Sequence, residues 1–87
     1  MPPATPTHVI FGAAGGIGSA LCRRLSKSGA NLILAGRTLD TLTALADELG
    51  AIAIQCDATR LAQVNSVFEL ARSKHGQVDG VANCVGS

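Results

Sequence analysis

The sequence contains no tyrosine and no tryptophan, and its only aromatic side chains are Phe11 and Phe68. Two phenylalanines do not make a platform for stacking nucleic acid bases. Charge is scarce as well: 15% of the residues are charged, and the formal balance is +1. That gives no field strong enough to gather nucleic acid or an anionic membrane surface. Arg23, Arg24 and Lys27 do cluster, but at helical spacing they read as a solvated outer face. No apolar stretch approaches the ~18 residues of a membrane span. The start, Met1-Pro2-Pro3-Ala4-Thr5-Pro6, lacks the charged opening and apolar middle of a secretory signal, and reads as a short extended leader over residues 1–6. Three cysteines, Cys22, Cys56 and Cys84, are odd in number and lack C-x-x-C spacing. This argues against a zinc site or a disulfide framework. They read as small apolar side chains kept reduced, in a protein of the cytoplasm.

What the chain does have is 47% hydrophobic residues and ten glycines in 87 positions. The length bounds it to one domain or part of one, able to bury about two-thirds of its unfolded surface. Val9–Phe11, Asn31–Ala35, Ala51–Cys56 and Val81–Val85 are short, mostly apolar runs. Leu32-Ile33-Leu34-Ala35 is continuous rather than alternating, the pattern of a strand covered on both faces. Between the runs lie three helical stripes. Ile17, Leu21 and Leu25 precede Gly29; Leu39, Leu42, Leu45 and Leu49 lie between Thr38, a candidate N-cap, and Gly50; Leu61, Val64, Val67, Phe68 and Ala71 lie between Thr59 and Gly76.

Strands alternating with helices of this length predict an α/β fold, a Rossmann-like doubly wound parallel sheet. It would hold four strands in the order 3-2-1-4 with three helices, over residues 7–87. The first two helices then share one face and the third crosses to the other. The switch point falls between the first and fourth strands, and a ligand is expected at their carboxyl ends.

The glycines sit at that place. In Phe11-Gly12-Ala13-Ala14-Gly15-Gly16-Ile17-Gly18, four glycines follow the first apolar run. A strand-to-helix turn aims backbone N–H groups and the helix dipole at a phosphate, and side chains would block its approach. Gly12 is expected to make the tight turn, Gly16 to admit a pyrophosphate, and Gly18 to let the helix lie close on the strand. Gly12, Gly16 and Gly18 give G-x-x-x-G-x-G, whereas Gly12, Gly15 and Gly18 give G-x-x-G-x-x-G; neither is G-x-G-x-x-G. No Gly-Lys-Ser/Thr follows, which disfavours a triphosphate loop. At the end of the second strand, where an NAD site usually carries an acidic residue, the chain reads Ala35-Gly36-Arg37-Thr38. An arginine there would meet an additional phosphate with a charge-assisted fork and points to NADP ahead of NAD.

With the glycine loop, Ala35-Gly36-Arg37, Cys56-Asp57-Ala58-Thr59 and Asn83-Cys84-Val85-Gly86 in this order, the chain resembles the amino-terminal, cofactor-binding part of the short-chain dehydrogenase/reductase family. The resemblance implies that Gly12, Gly15, Gly16, Ile17 and Gly18 surround the cofactor pyrophosphate, with Phe11 where threonine is usual. It implies that Arg37 takes the 2′-phosphate of NADP, that Asp57 accepts from the adenine amino group, and that Asn83 and Gly86 stand beside the ribose. Asp57 also reads as a helix cap. Cys84 and Val85 replace the second asparagine and the alanine of that family's N-N-A-G.

The family's reaction implies a Tyr-x-x-x-Lys pair and a serine. There is no tyrosine; Arg23 and Leu70 stand four residues before Lys27 and Lys74, and Ser87 does not match the serine. No catalytic and no metal-binding residue is therefore assigned. The expected role is the NADP(H)-binding portion of a reductase that transfers hydride between nicotinamide and a carbonyl or alcohol. Its partner would be the missing carboxy-terminal part, a relative or a second copy. A non-catalytic dinucleotide-binding or regulatory module and an assembly fragment are the alternatives.

Overall fold

A computed structural model describes residues 5–85; Met1–Ala4 of the expected leader, together with Gly86 and Ser87, lie outside the described residues. Seven elements alternate along the chain: β1 (Thr7–Phe11), α1 (Gly16–Lys27), β2 (Asn31–Gly36), α2 (Leu39–Leu49), β3 (Ile52–Gln55), α3 (Leu61–His75) and β4 (Gly80–Asn83). All strand pairs are parallel, in the order β3-β2-β1-β4. The expected fold class is observed.

The two central strands explain the continuous apolar reading. Leu32, Ile33, Leu34 and Ala35 are all buried, because alternate side chains enter two different cores. Ile10, Leu32 and Leu34 pack with Cys22 of α1 and with Leu42, Leu45 and Ala46 of α2. Val9, Phe11, Ile33 and Ala35 pack with Val67 and Ala71 of α3 on the opposite face. The third helix has crossed over, as the strand order requires. Phe11 and Phe68 meet there, with ring centroids 6.0 Å apart and planes tilted by 55°, an arrangement favoured by ring quadrupoles.

The three helical stripes fall within the observed helices. Their leading residues Ile17, Leu39 and Leu61, in the first turn of each helix, are nevertheless exposed. Thr38 occupies the N-cap position of α2 and its carbonyl accepts the Leu42 N–H, but its side chain makes no cap hydrogen bond; the N-cap of α3 is Arg60, the residue after Thr59. The fourth strand begins and ends earlier than its apolar run, because pairing follows β1 from His8↔Gly80 to Phe11↔Asn83. The Cys84 N–H still donates to the Phe11 carbonyl at 2.8 Å, and then the chain turns as the Val85 N–H donates to Asn83 Oδ1.

The end of the sheet opposite the helix amino termini is tied by side chains. The Thr7 N–H donates to Asp79 Oδ2 and the Asp79 N–H to the Thr7 carbonyl, both at 2.8 Å. Gln77 Nε2 donates to the same carboxylate and to the Thr5 carbonyl, and the Asn31 N–H donates to the Pro6 carbonyl. Thr5 and Pro6, read as part of a leader, are thus bonded to the sheet at this end. Among the described residues no helix is long and apolar enough to cross a membrane.

One polar atom stands out in the core. The Thr7 side chain is fully buried, and its Oγ1 has no hydrogen-bond partner. A buried hydroxyl without a partner carries its desolvation cost uncompensated. Replacing it with the isosteric methyl in Thr7→Val is expected to raise the unfolding free energy by about 1 kcal/mol, measured by urea denaturation. A loss of stability instead would mean that the hydroxyl is satisfied in solution.

Candidate functional site

The carboxyl ends of the four strands open onto a cleft of about 200 Å³. Its base is apolar, formed by Phe11, Ala35, Cys56 and Cys84. Backbone from the loop after β1 contributes Gly12 and Gly15, the end of β2 contributes Gly36 and Arg37, and the turn after β3 contributes Asp57, Ala58 and Thr59. The structure therefore brings together four of the residues singled out in the sequence: Gly12, Gly15, Arg37 and Asp57.

The loop's shape follows from missing side chains. Gly12 has φ +73°, and its N–H donates to the Ala35 carbonyl at 2.9 Å while its carbonyl accepts from the Gly15 N–H at 3.1 Å. A Cβ on Gly12 would stand 2.6 Å from the Cys84 carbonyl carbon and from the Val85 nitrogen. A Cβ on Gly18 would overlap the Gly12 carbonyl oxygen. Gly18 is buried and does not line the cleft; its service is to the packing of helix against loop.

Gly16 differs from both, since a Cβ there would meet nothing within 4 Å. The space in front of it is open. Helix α1 has no side-chain cap and no acidic residue in its first turn. The first intrahelical acceptor is the Gly15 carbonyl, which takes the Ser19 N–H. The N–H groups of Gly16, Ile17 and Gly18 therefore have no partner within the helix, and the positive end of its dipole is uncompensated. The Ile17 side chain is exposed and stays outside the cleft lining. Asn83 also stays outside, with its Oδ1 engaged by the Val85 N–H at 3.1 Å; Gly86 lies outside the described residues.

Asp57 is the most heavily engaged side chain of the site. Its Oδ1 accepts from Thr59 Oγ1 at 2.7 Å, from the Thr59 N–H at 3.0 Å and from Arg37 Nη2 at 3.4 Å. The Thr59 hydroxyl, then the Thr59 N–H, and with a smaller pull Arg37, hold its carboxyl down at about 2. As a result Asp57 shapes the turn after β3 and does not cap α3. Its own N–H donates to Gln63 Oε1 at 2.7 Å, and Gln55 Nε2 donates to the Arg37 carbonyl at 3.0 Å. Gln55 and Gln63, which the sequence did not single out, and Thr59, read there only as part of a motif ahead of the third helix, thus support the site. The Asp-x-Thr spacing was the available signal for Thr59, because such a pair closes a turn locally.

All three cysteines are free; burial and then neighbouring Cys84 push the Cys22 thiol up to about 11, and burial also raises Cys56. Thiols raised in this way are inert.

A sequence model of the short chain dehydrogenase family matches residues 6–87. The chain belongs to this family. It is 36% identical over 85 residues to the uncharacterized oxidoreductase YuxG of Bacillus subtilis, covering 90% of this chain and 12% of that protein. It is 38% identical over 81 residues to dehydrogenase/reductase SDR family member 1 of Mus musculus, covering 86% of this chain and 26% of the relative. Among solved structures, the 3-ketoacyl-(acyl-carrier-protein) reductase of Brucella melitensis, complexed with NADH, superposes with a TM-score of 0.85 at 30% identity. That match covers 90% of this chain and 33% of the reductase. The short-chain dehydrogenase sequence present here therefore spans a third or less of the length of these relatives.

Because Asp57 is held below the ordinary carboxylate value of 3.8, the stability it contributes is fully present above that value and is lost as the pH falls through about 2. An NMR titration is expected to place its carboxyl midpoint near 2. Thr59→Val, which deletes the strongest of the donated bonds, is expected to move that midpoint upward. An unchanged midpoint in the variant would remove Thr59 as the cause.

Proposed function

We propose that this chain is the NADP(H)-binding portion of a short-chain dehydrogenase that transfers hydride between nicotinamide and a carbonyl or alcohol substrate. The observation that carries the reading is the meeting of Gly12, Gly15, Arg37 and Asp57 on one cleft, beside the open backbone at Gly16. The NADH held by the related Brucella reductase supports a nicotinamide dinucleotide as the ligand class.

Each half of such a cofactor has a counterpart. The pyrophosphate would lie against the uncapped start of α1, where the N–H groups of Gly16 and Ile17 have no partner within the helix and the space at Gly16 is open. Adenine would enter the apolar cleft, its amino group donating to Asp57. Asp57 Oδ2 accepts no hydrogen bond among the described residues and so retains capacity for that contact. The ribose end would pass Asn83 and Gly86. Arg37 would leave its 3.4 Å contact with Asp57 and take the 2′-phosphate. The first carboxylate after β2 is Asp40, already inside the first turn of α2, so no acidic residue occupies the place that would accept from the ribose hydroxyls of NAD.

When bound, the nicotinamide supplies the hydride chemistry. The residues described here bind and orient; the proton-transferring groups and the substrate pocket would come from polypeptide beyond them. Three free cysteines fit a reducing compartment, and the proposed location is the cytoplasm.

Calorimetric titration with NADPH and NADH tests the assignment. Arg37→Ala is expected to weaken NADPH roughly ten- to a hundredfold, the value of a charged hydrogen bond, and to leave NADH unchanged. Comparable affinity for both cofactors, insensitive to the substitution, would overturn the NADP reading. Gly16→Ala separates ligand approach from folding. With open space at that position it is expected to keep the unfolding midpoint and yet weaken both cofactors, whereas unchanged binding would remove the pyrophosphate from this loop.

A further inference from the structure

We propose that Arg60 is a second specificity-determining residue for the 2′-phosphate, acting with Arg37 across the Asp57 carboxylate. The inference rests on the NADP reading above and extends it to a residue on a different element. Arg60 Nε stands 3.9 Å from Asp57 Oδ2, while Arg37 Nη2 stands 3.4 Å from Oδ1. Two guanidinium groups thus flank one carboxylate, and the cluster carries one positive charge in excess.

Three features make this arrangement a receptor for a dianion rather than a closed ion-pair network. The first is mobility: the Arg37 and Arg60 side chains are 72% and 71% exposed, so each pair with Asp57 is weak and easily exchanged. A phosphate monoester carries about −1.5 to −2 charges against the carboxylate's −1, which favours the exchange. The second is that Asp57 does not need the arginines. Two hydrogen bonds from Thr59 keep its Oδ1 satisfied after the guanidiniums turn away. The third is the shape of the surface. Arg37 and Asp57 also line a second, polar groove of about 680 Å³, together with Gln55, Cys56 and Gln63. The pair is therefore the wall between an apolar cleft suited to adenine and a polar groove suited to a phosphate.

Gln55 gives one amide proton to the Arg37 carbonyl and Gln63 accepts the Asp57 N–H. They hold the two backbone segments at the wall. Arg60 is left as the second cation that can follow the phosphate.

The test compares NADPH and NADH affinities, by calorimetry, for the wild-type chain, Arg37→Ala, Arg60→Ala, Arg60→Lys and the double alanine variant. Arg60→Ala is expected to weaken NADPH roughly tenfold with NADH unchanged, Arg60→Lys to restore part of the loss, and the double variant to exceed either single one. Thermal unfolding of each variant reports on α3, and a structural effect of Arg60 would weaken both cofactors together. If Arg37→Ala abolishes the NADPH preference and Arg60→Ala leaves it intact, the role of Arg60 is overturned while the NADP reading stands. If the wild type shows no preference, the underlying reading itself fails.

Discussion

The contact on which the site depends has no side chain in it. The carbonyl oxygen of Gly12 lies directly against the α-carbon of Gly18, so that the first turn of α1 is drawn under the loop leaving β1. On the other side of Gly12 the backbone of Cys84 and Val85 comes equally close. The two ends of one short loop, Gly12 and Gly18, and a segment distant in sequence, Cys84–Val85, are packed main chain to main chain. Any Cβ at the crossing would force them apart. Between these two anchors Gly16 faces open space, and the first N–H groups of α1 have no partner within the helix.

Around that backbone centre the polar and apolar duties are separated. Alternate residues of β1 and β2 fill two cores, and the strand ends present only Phe11, Ala35 and small groups to the cleft. Polar function is confined to the turns, where Asp57 gathers Thr59, Arg37 and Arg60 without burying any of them deeply. A loosely held charged cluster on a rigid apolar sheet can rearrange at little cost to the fold.

Much of this was readable from local pattern. The continuous apolar run Leu32–Ala35 announced a strand covered on both faces, and handedness then dictated where α3 must lie. The tight turn at Gly12 and the close lie of the helix at Gly18 were expected from their place between a strand and a helix. What local pattern does not carry is tertiary position. Ile17, Leu39 and Leu61 obey helical periodicity and yet are exposed, because periodicity marks a face and not how far the neighbouring elements reach along it. Arg37 and Asp57 are twenty residues apart, and their contact exists because β2 and β3 are neighbours. Arg60 carried no motif at all. Its proximity to Asp57 depends on the turn that Thr59 closes, a geometry visible only once the two hydrogen bonds are seen together.

The paired bonds between Thr7 and Asp79 have a bearing on the opposite end of the molecule. With only four residues in its ladder, β4 has little of its own to resist slipping along β1. A slip by one position would exchange the faces of every side chain on that strand, and would carry the Cys84 backbone off its narrow seat beside Gly12. The clasp at Asp79 forbids this, working as the zero mark of a ruler whose far end is read at the cleft. The register that shapes the cleft is thereby set from the opposite end of the sheet.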